Sequence, residues 1–105
     1  MFRIASGSAI SRAYVIAGTG ALTTESFDAD VVLPSGRRPS VAVAVTDAAA
    51  REVTVTMAAS EWRRGEGGFG AVEVRMTSGD TTTVEHSERF RVMRGLSPQY
   101  VEGYV

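Results

Sequence analysis

Apolar and polar residues alternate along five stretches of this chain, and turn-forming residues separate them. The clearest stretch runs Arg51-Glu52-Val53-Thr54-Val55-Thr56-Met57, where every second side chain is apolar. A period of two puts one face of a strand in a core and the other in water. The same alternation runs from Ser26 to Leu33, with Phe27, Ala29, Val31 and Leu33 on one face and Asp28 and Asp30 on the other. Phe69 to Thr77 predicts a long strand with Val72, Val74 and Met76 inward and Glu73 and Arg75 outward. Thr81 to Val92 returns, with Val84, Phe90 and Val92 assigned to one face. His86 and Glu88 fall on that face too, so the strand must bulge or leave the core there.

Weaker patterns fill the remainder. Arg12 to Ala17 reads as a strand with apolar residues on both faces, and Met1 to Ala5 as an edge strand or an extended arm. Val41-Ala42-Val43-Ala44-Val45 sets valine on one face and alanine on the other, which predicts a central strand covered on both sides. Asp47 to Ala50 is too short for a stable helix and reads as the loop of a hairpin. Pro34-Ser35-Gly36 and Ser78-Gly79-Asp80 are turn signals, since proline presets φ and glycine admits positive φ. Ser60 to Arg64 predicts one 3₁₀ turn with Ser60 as its cap, and Gly65 to Gly68 a break. Serial strands joined by short turns, with no convincing helix, predict an antiparallel β-sandwich.

A length of 105 residues fits one domain with a modest core. At 44% hydrophobic and 22% charged, the chain is too apolar for disorder and too interrupted for a membrane span. The net charge of −1 supplies no overall field for nucleic acid or an anionic bilayer. With no cysteine there is no disulfide and no thiolate chemistry, which leans towards an intracellular or assembly-protected setting. Met1 to Ala5 does not read as a signal peptide. All 11 basic residues are arginine, and lysine and asparagine are both absent. A genome rich in G and C accounts for most of that bias, although the planar guanidinium fork also suits interfaces.

Candidate chemistry is sparse. His86 is the only histidine, and Glu85 and Glu88 cannot all turn to one ion with it, because neighbouring side chains on a strand point to opposite faces. A serine triad would lack its nucleophile elbow. Asp28 and Asp30 sit about 7 Å apart on one face, and a solvated outer face explains them better than a hydrolytic pair. Gly65 to Gly70 is glycine-rich, yet no helix and no lysine follow to hold a phosphate. Catalytic, cofactor-binding and metal-binding residues are therefore assigned to none, no cofactor is expected, and the chain is expected not to be an enzyme.

Sticky ends and arginine pairs direct attention to partners instead. Arg37-Arg38 and Arg63-Arg64 lie in loops and suit carboxylates of a partner protein better than nucleic acid. Trp62 is the only tryptophan and is assigned first to covering the end of the sandwich, second to an interface. Phe2 and Ile4 near one end, and Leu96, Tyr100, Val101, Tyr104 and Val105 near the other, are candidate docking groups, because ordinary disordered ends are poor in such residues. The expected organisation is an arm or edge strand over 1–11, a sandwich over 12–95 and a docking tail over 96–105.

The run Trp62-Arg63-Arg64-Gly65-Glu66-Gly67-Gly68-Phe69-Gly70, its hairpin through Gly79-Asp80, and the closing Arg89-Phe90-Arg91-Val92 resemble the second half of small immunoglobulin-like domains in tailed-phage virion proteins. Those are baseplate, head or tail accessory proteins. The resemblance implies an immunoglobulin-like sandwich, a non-enzymatic structural role in a virion, partners among capsid, portal or tail subunits, and a homo-oligomer in a ring or lattice. From charge and composition, no membrane partner is expected and nucleic acid is disfavoured as one. A second reading is a carbohydrate- or protein-binding immunoglobulin-like module of a cell-surface protein, which exposed aromatics on one sheet would favour.

Overall fold

A computed structural model of the chain describes residues 1–63 and 67–93. They form seven strands: β1 (Phe2–Ala5), β2 (Ile10–Val15), β3 (Ser26–Val32), β4 (Ala42–Asp47), β5 (Glu52–Met57), β6 (Gly68–Ser78) and β7 (Thr81–Met93). A single 3₁₀ turn spans Ala59–Glu61, and the described residues contain no α-helix. The larger sheet has the order β1-β7-β6-β3 and the smaller one β2-β5-β4. Every pairing is antiparallel except β1 with β7. The two sheets pack as a β-sandwich.

The period-two residues meet between the layers. Val31 of β3, Val53 and Val55 of β5, Val72 and Val74 of β6, and Phe90 of β7 are all fully buried. Ile10 and Tyr14 of β2 close one side, with Ile16 and Leu33 just beyond their strands. Gly70 faces inward opposite Phe90. A Cβ there would drive into the Phe90 ring and come within 2.6 Å of the Val32 carbonyl oxygen. Glycine is required because the Phe90 ring and the Val32 backbone, on the strands flanking β6 in the same sheet, close over this position.

Two turns follow their sequence signals. Gly36 takes φ 87° and its N–H donates to the Leu33 carbonyl. Gly79, at φ 60°, begins the two-residue loop between the paired Ser78 and Thr81. A third has a signal the pattern does not carry. Arg51 adopts φ 58° at the end of the β4–β5 hairpin. Its guanidinium then donates to the carbonyls of Ile16, Ala17 and Gly20 at 2.9–3.0 Å, clasping the β2–β3 connection to the hairpin.

Four expectations need correction. β4 is not a central strand: it forms the edge of the smaller sheet, with Ala42, Ala44, Val45 and Thr46 exposed. β2 begins two residues earlier than its pattern suggested and ends at Val15, and its Ala13 and Val15 face solvent. Val84 does not share a face with Phe90 and Val92. The register shifts so that Val74 pairs with His86 but Arg75 with Val84, leaving Glu85 as an extra residue. The bulge turns Val84 to the outside, where it is 57% exposed. Finally, Ala58 rather than Ser60 occupies the cap of the 3₁₀ turn, and it makes no side-chain cap bond.

The Gly70→Ala variant should lose about 2 kcal/mol or more of stability, because neither the ring nor the carbonyl can withdraw cheaply. Urea unfolding measures it. A loss below about 0.5 kcal/mol, the size of an ordinary surface change, would contradict the close approach of Gly70 to Phe90 and Val32.

Candidate functional site

Charged residues stand on the inward faces of β2 and β7, where alternation would place apolar ones. On β2 the inward positions are Ile10, Arg12 and Tyr14; on β7 they are His86, Glu88, Phe90 and Val92. These strands belong to different sheets, so the polar positions meet across the layers. Arg12 Nε and Nη2 donate to the two Glu88 carboxylate oxygens, each at 3.0 Å. The Tyr14 hydroxyl donates to Glu88 Oε1 at 2.9 Å. The Arg12 guanidinium lies 4.5 Å from the centre of the Phe2 ring, and the α-ammonium of Met1 lies 4.0 Å from Glu88 Oε2. The His86 ring stands 5.0 Å from that of Tyr14. Its Nε2 is 2.7 Å from the Val15 carbonyl oxygen, which can only accept, so that nitrogen carries the proton.

The electrostatics follow from these contacts. The Arg12 hydrogen bonds hold the Glu88 carboxyl below its ordinary range, against the opposing effect of burial. Burial, then the bond to Glu88, pushes the Tyr14 hydroxyl well above its usual range. The cluster opens to a cleft of about 660 Å³ lined by Arg12, Tyr14, His86 and Glu88 among others. Its groups are nevertheless committed to one another: Glu88 is ionised with both oxygens engaged, Tyr14 holds its proton, and His86 is anchored to backbone. The arrangement ties the layers together and leaves no free base beside a nucleophile. Among the described residues no group of three or more histidine, aspartate or glutamate side chains is placed to hold a metal ion.

The outward face of the larger sheet divides into two regions. Across β3 and β6, Arg75 bonds Asp28 at 2.7 Å and both Asp30 and Glu73 at 2.9 Å. Arg38 reaches Asp30 at 3.3 Å. The contact with Arg75 lowers the Asp28 pKa, and Asp28 and Asp30 both serve as ion-pair partners of the same guanidinium. Across β1, β7 and the start of β6 the composition changes. Arg3 pairs with Arg91, Arg91 with Phe69, and Arg89 with Ala71. Phe69 is 50% exposed and the Arg89 guanidinium lies 5.0 Å from its ring centre. Among the described residues no carboxylate lies within ion-pair distance of Arg3, Arg89 or Arg91.

The residues singled out from sequence scatter over the molecule. Phe2 and Ile4 are half-buried and pack on the core, with the Phe2 ring 5.2 Å from that of Phe90. Trp62 is half-buried, and its indole N–H donates to the Ser8 carbonyl at 2.6 Å. Arg37 turns inward to the Glu61 carbonyl, Arg38 pairs with Asp30, and Arg63 is exposed. Arg64 lies outside the described residues, as do Leu96, Tyr100, Val101, Tyr104 and Val105. Sequence reasoning missed Arg12, Arg3, Arg89, Arg91 and the exposure of Phe69. A signal existed for one of them: Arg12 interrupts the apolar face of Ile10 and Tyr14, as Glu88 interrupts the face it shares with Phe90. No known protein family matches the chain, and neither does any curated protein or solved structure.

Glu88 makes stability depend on pH. Its folded pKa is depressed, so the stabilisation is present above the ordinary glutamate value of about 4.3 and is lost as pH falls through the folded value. Glu88→Gln should cost about 1–2 kcal/mol near neutrality, moderated by the partial exposure of Arg12. It should also flatten the decline of stability in acid. Melting temperatures from pH 7 to pH 2.5 test this; parallel curves for the two proteins would refute the role of Glu88.

Proposed function

We propose that this chain is a non-enzymatic structural protein of a tailed-phage virion, an immunoglobulin-like domain that decorates or joins parts of the particle through protein–protein contacts. The observation that carries the binding role is Phe69, half exposed and bordered by Arg3, Arg89 and Arg91 on one flat sheet face. Aromatic and arginine side chains are the residues that most often dominate the binding energy of interfaces. Three neighbouring arginines that meet no carboxylate among the described residues suit a partner that brings them. The interlayer cluster supports the non-enzymatic reading, because its ionisable groups satisfy one another.

The immunoglobulin-like assignment draws on strand order. It is supported by β3, β6 and β7 facing β2, β5 and β4 as strands C, F and G face B, E and D in such folds, while β1 lies beside β7 instead of β2. The virion assignment draws on the resemblance of residues 62–92. The cell-surface alternative would use the same Phe69 as a platform for a sugar ring or a protein. Three arginines around a lone aromatic favour an acidic protein surface over a neutral glycan.

Purified particles from the source phage or lysogen should contain this chain at a fixed ratio to the main structural proteins, as measured by quantitative mass spectrometry. The double variant Arg89→Glu/Arg91→Glu should keep the wild-type melting temperature within a few degrees and enter particles roughly tenfold less well, in line with the loss of an interface hot spot. Absence of the chain from particles would overturn the virion reading. Normal incorporation of the double variant would overturn the role of this face.

A further inference from the structure

An unpaired row of backbone N–H and C=O groups at a sheet edge is a template for another strand, and folded proteins guard against it. Three of the four edges here are kept short or carry charge at mid-strand. β1 has only four residues and includes Arg3. β2 bears the inward-pointing charge of Arg12. β3 presents Asp28 and Asp30. β4 carries its guards only at its C-terminal end, in Asp47 and the bulge between Val45 and Asp47; the run Val41-Ala42-Val43-Ala44-Val45-Thr46 before it contains no charge, no proline and no glycine. Among the described residues no strand pairs with its outer edge. Val45, which shares the inward face with Val43, is 42% exposed, because the layer above does not reach over it.

The sequence of β4 is that of a central strand, and its place in the fold is an edge. Both facts hold together if the strand becomes central on association. We infer that β4 is a homodimer interface, at which a second copy of this chain adds its own β4 antiparallel about a two-fold axis normal to the sheet. The two small sheets then become one, in the order β2-β5-β4-β4-β5-β2, with the inward face of each copy on the same side. An uncharged run lets identical strands meet without repulsion. With Ala44 beside Ala44 of the second copy, Val43 and Val45 pair across the axis on the core face and the small alanines pair outside. A foreign strand would gain nothing from this self-matching order. The inference rests on β4 alone and stands whether or not the virion reading does.

Sedimentation equilibrium of the full chain tests it. Wild type should be a dimer at micromolar concentration. Ala44→Lys and Ala44→Glu, each placing like charges opposite each other, should be monomeric, with a dissociation constant raised at least about tenfold. Position 44 is solvent-exposed, so both should fold, as circular dichroism will check. An equimolar mixture of the two variants should recover a dimer, which only adjacency of residue 44 to its own copy explains. Val84→Lys, on the outward face of the other sheet, should leave the dimer intact. A wild-type monomer up to about 1 mM, weaker than specific dimers bind, would overturn the inference. So would a dimer that survives either single variant, a mixture that stays monomeric, or open-ended aggregation in place of a dimer.

Discussion

The governing constraint in this small sandwich is the unpaired backbone at the edges of its sheets. A two-layer fold of seven strands that does not close into a barrel must leave edges, and each exposes donors and acceptors that water alone satisfies. The chain spends charge and brevity on three of them. The inward Arg12 on β2 shows how far this goes: a charge aimed between the layers is tolerable only because Glu88 and Tyr14 meet it there. One interaction thus guards an edge and ties the sheets together. β4 has its only such devices, Asp47 and a bulge, at its C-terminal end, and leaves the uncharged run over 42–46 at the edge of the smaller sheet.

Arginine supplies most of the long-range side-chain hydrogen bonds among the described residues of this lysine-free chain. Arg12 crosses between the layers, Arg75 gathers three carboxylates on the outer face, and Arg51 gathers backbone carbonyls from the β2–β3 connection. Each uses several donors of one rigid fork at once, which an ammonium could not reproduce. Against that background Arg3, Arg89 and Arg91 stand out. They share the same chemistry and lie beside exposed Phe69, with no carboxylate among the described residues to receive them. Base composition accounts for the abundance of arginine but not for this division between engaged and unengaged groups.

Much of the architecture is legible from alternation because half-buried strands impose it directly. β3, β5 and β6 appear where the period-two pattern places them, and the Gly79-Asp80 hairpin follows from its turn chemistry. The strain implied by polar His86 and Glu88 opposite a core is real and is resolved twice, by the bulge at Glu85 and by Arg12 across the gap. What alternation cannot carry is position within a sheet. Val41 to Val45 has the composition of a covered strand, and only topology reveals that it lies at a sheet edge with Ala42, Ala44 and Val45 exposed. Nor can it carry interactions between residues far apart in sequence, such as Arg51 with the carbonyls near Gly18. The arginine and phenylalanine face is assembled from β1, β6 and β7, so its members are separated along the chain and give no local motif.

The central claim is that this fold is built to associate, with β4 as the strand that a single chain leaves incomplete. Residue-resolved amide hydrogen exchange, followed as protein concentration rises, addresses it most directly. The account predicts that amides over 42–46 slow with concentration while those of β1 and β2 keep their rates. Exchange over 42–46 that stays fast at every concentration would contradict it.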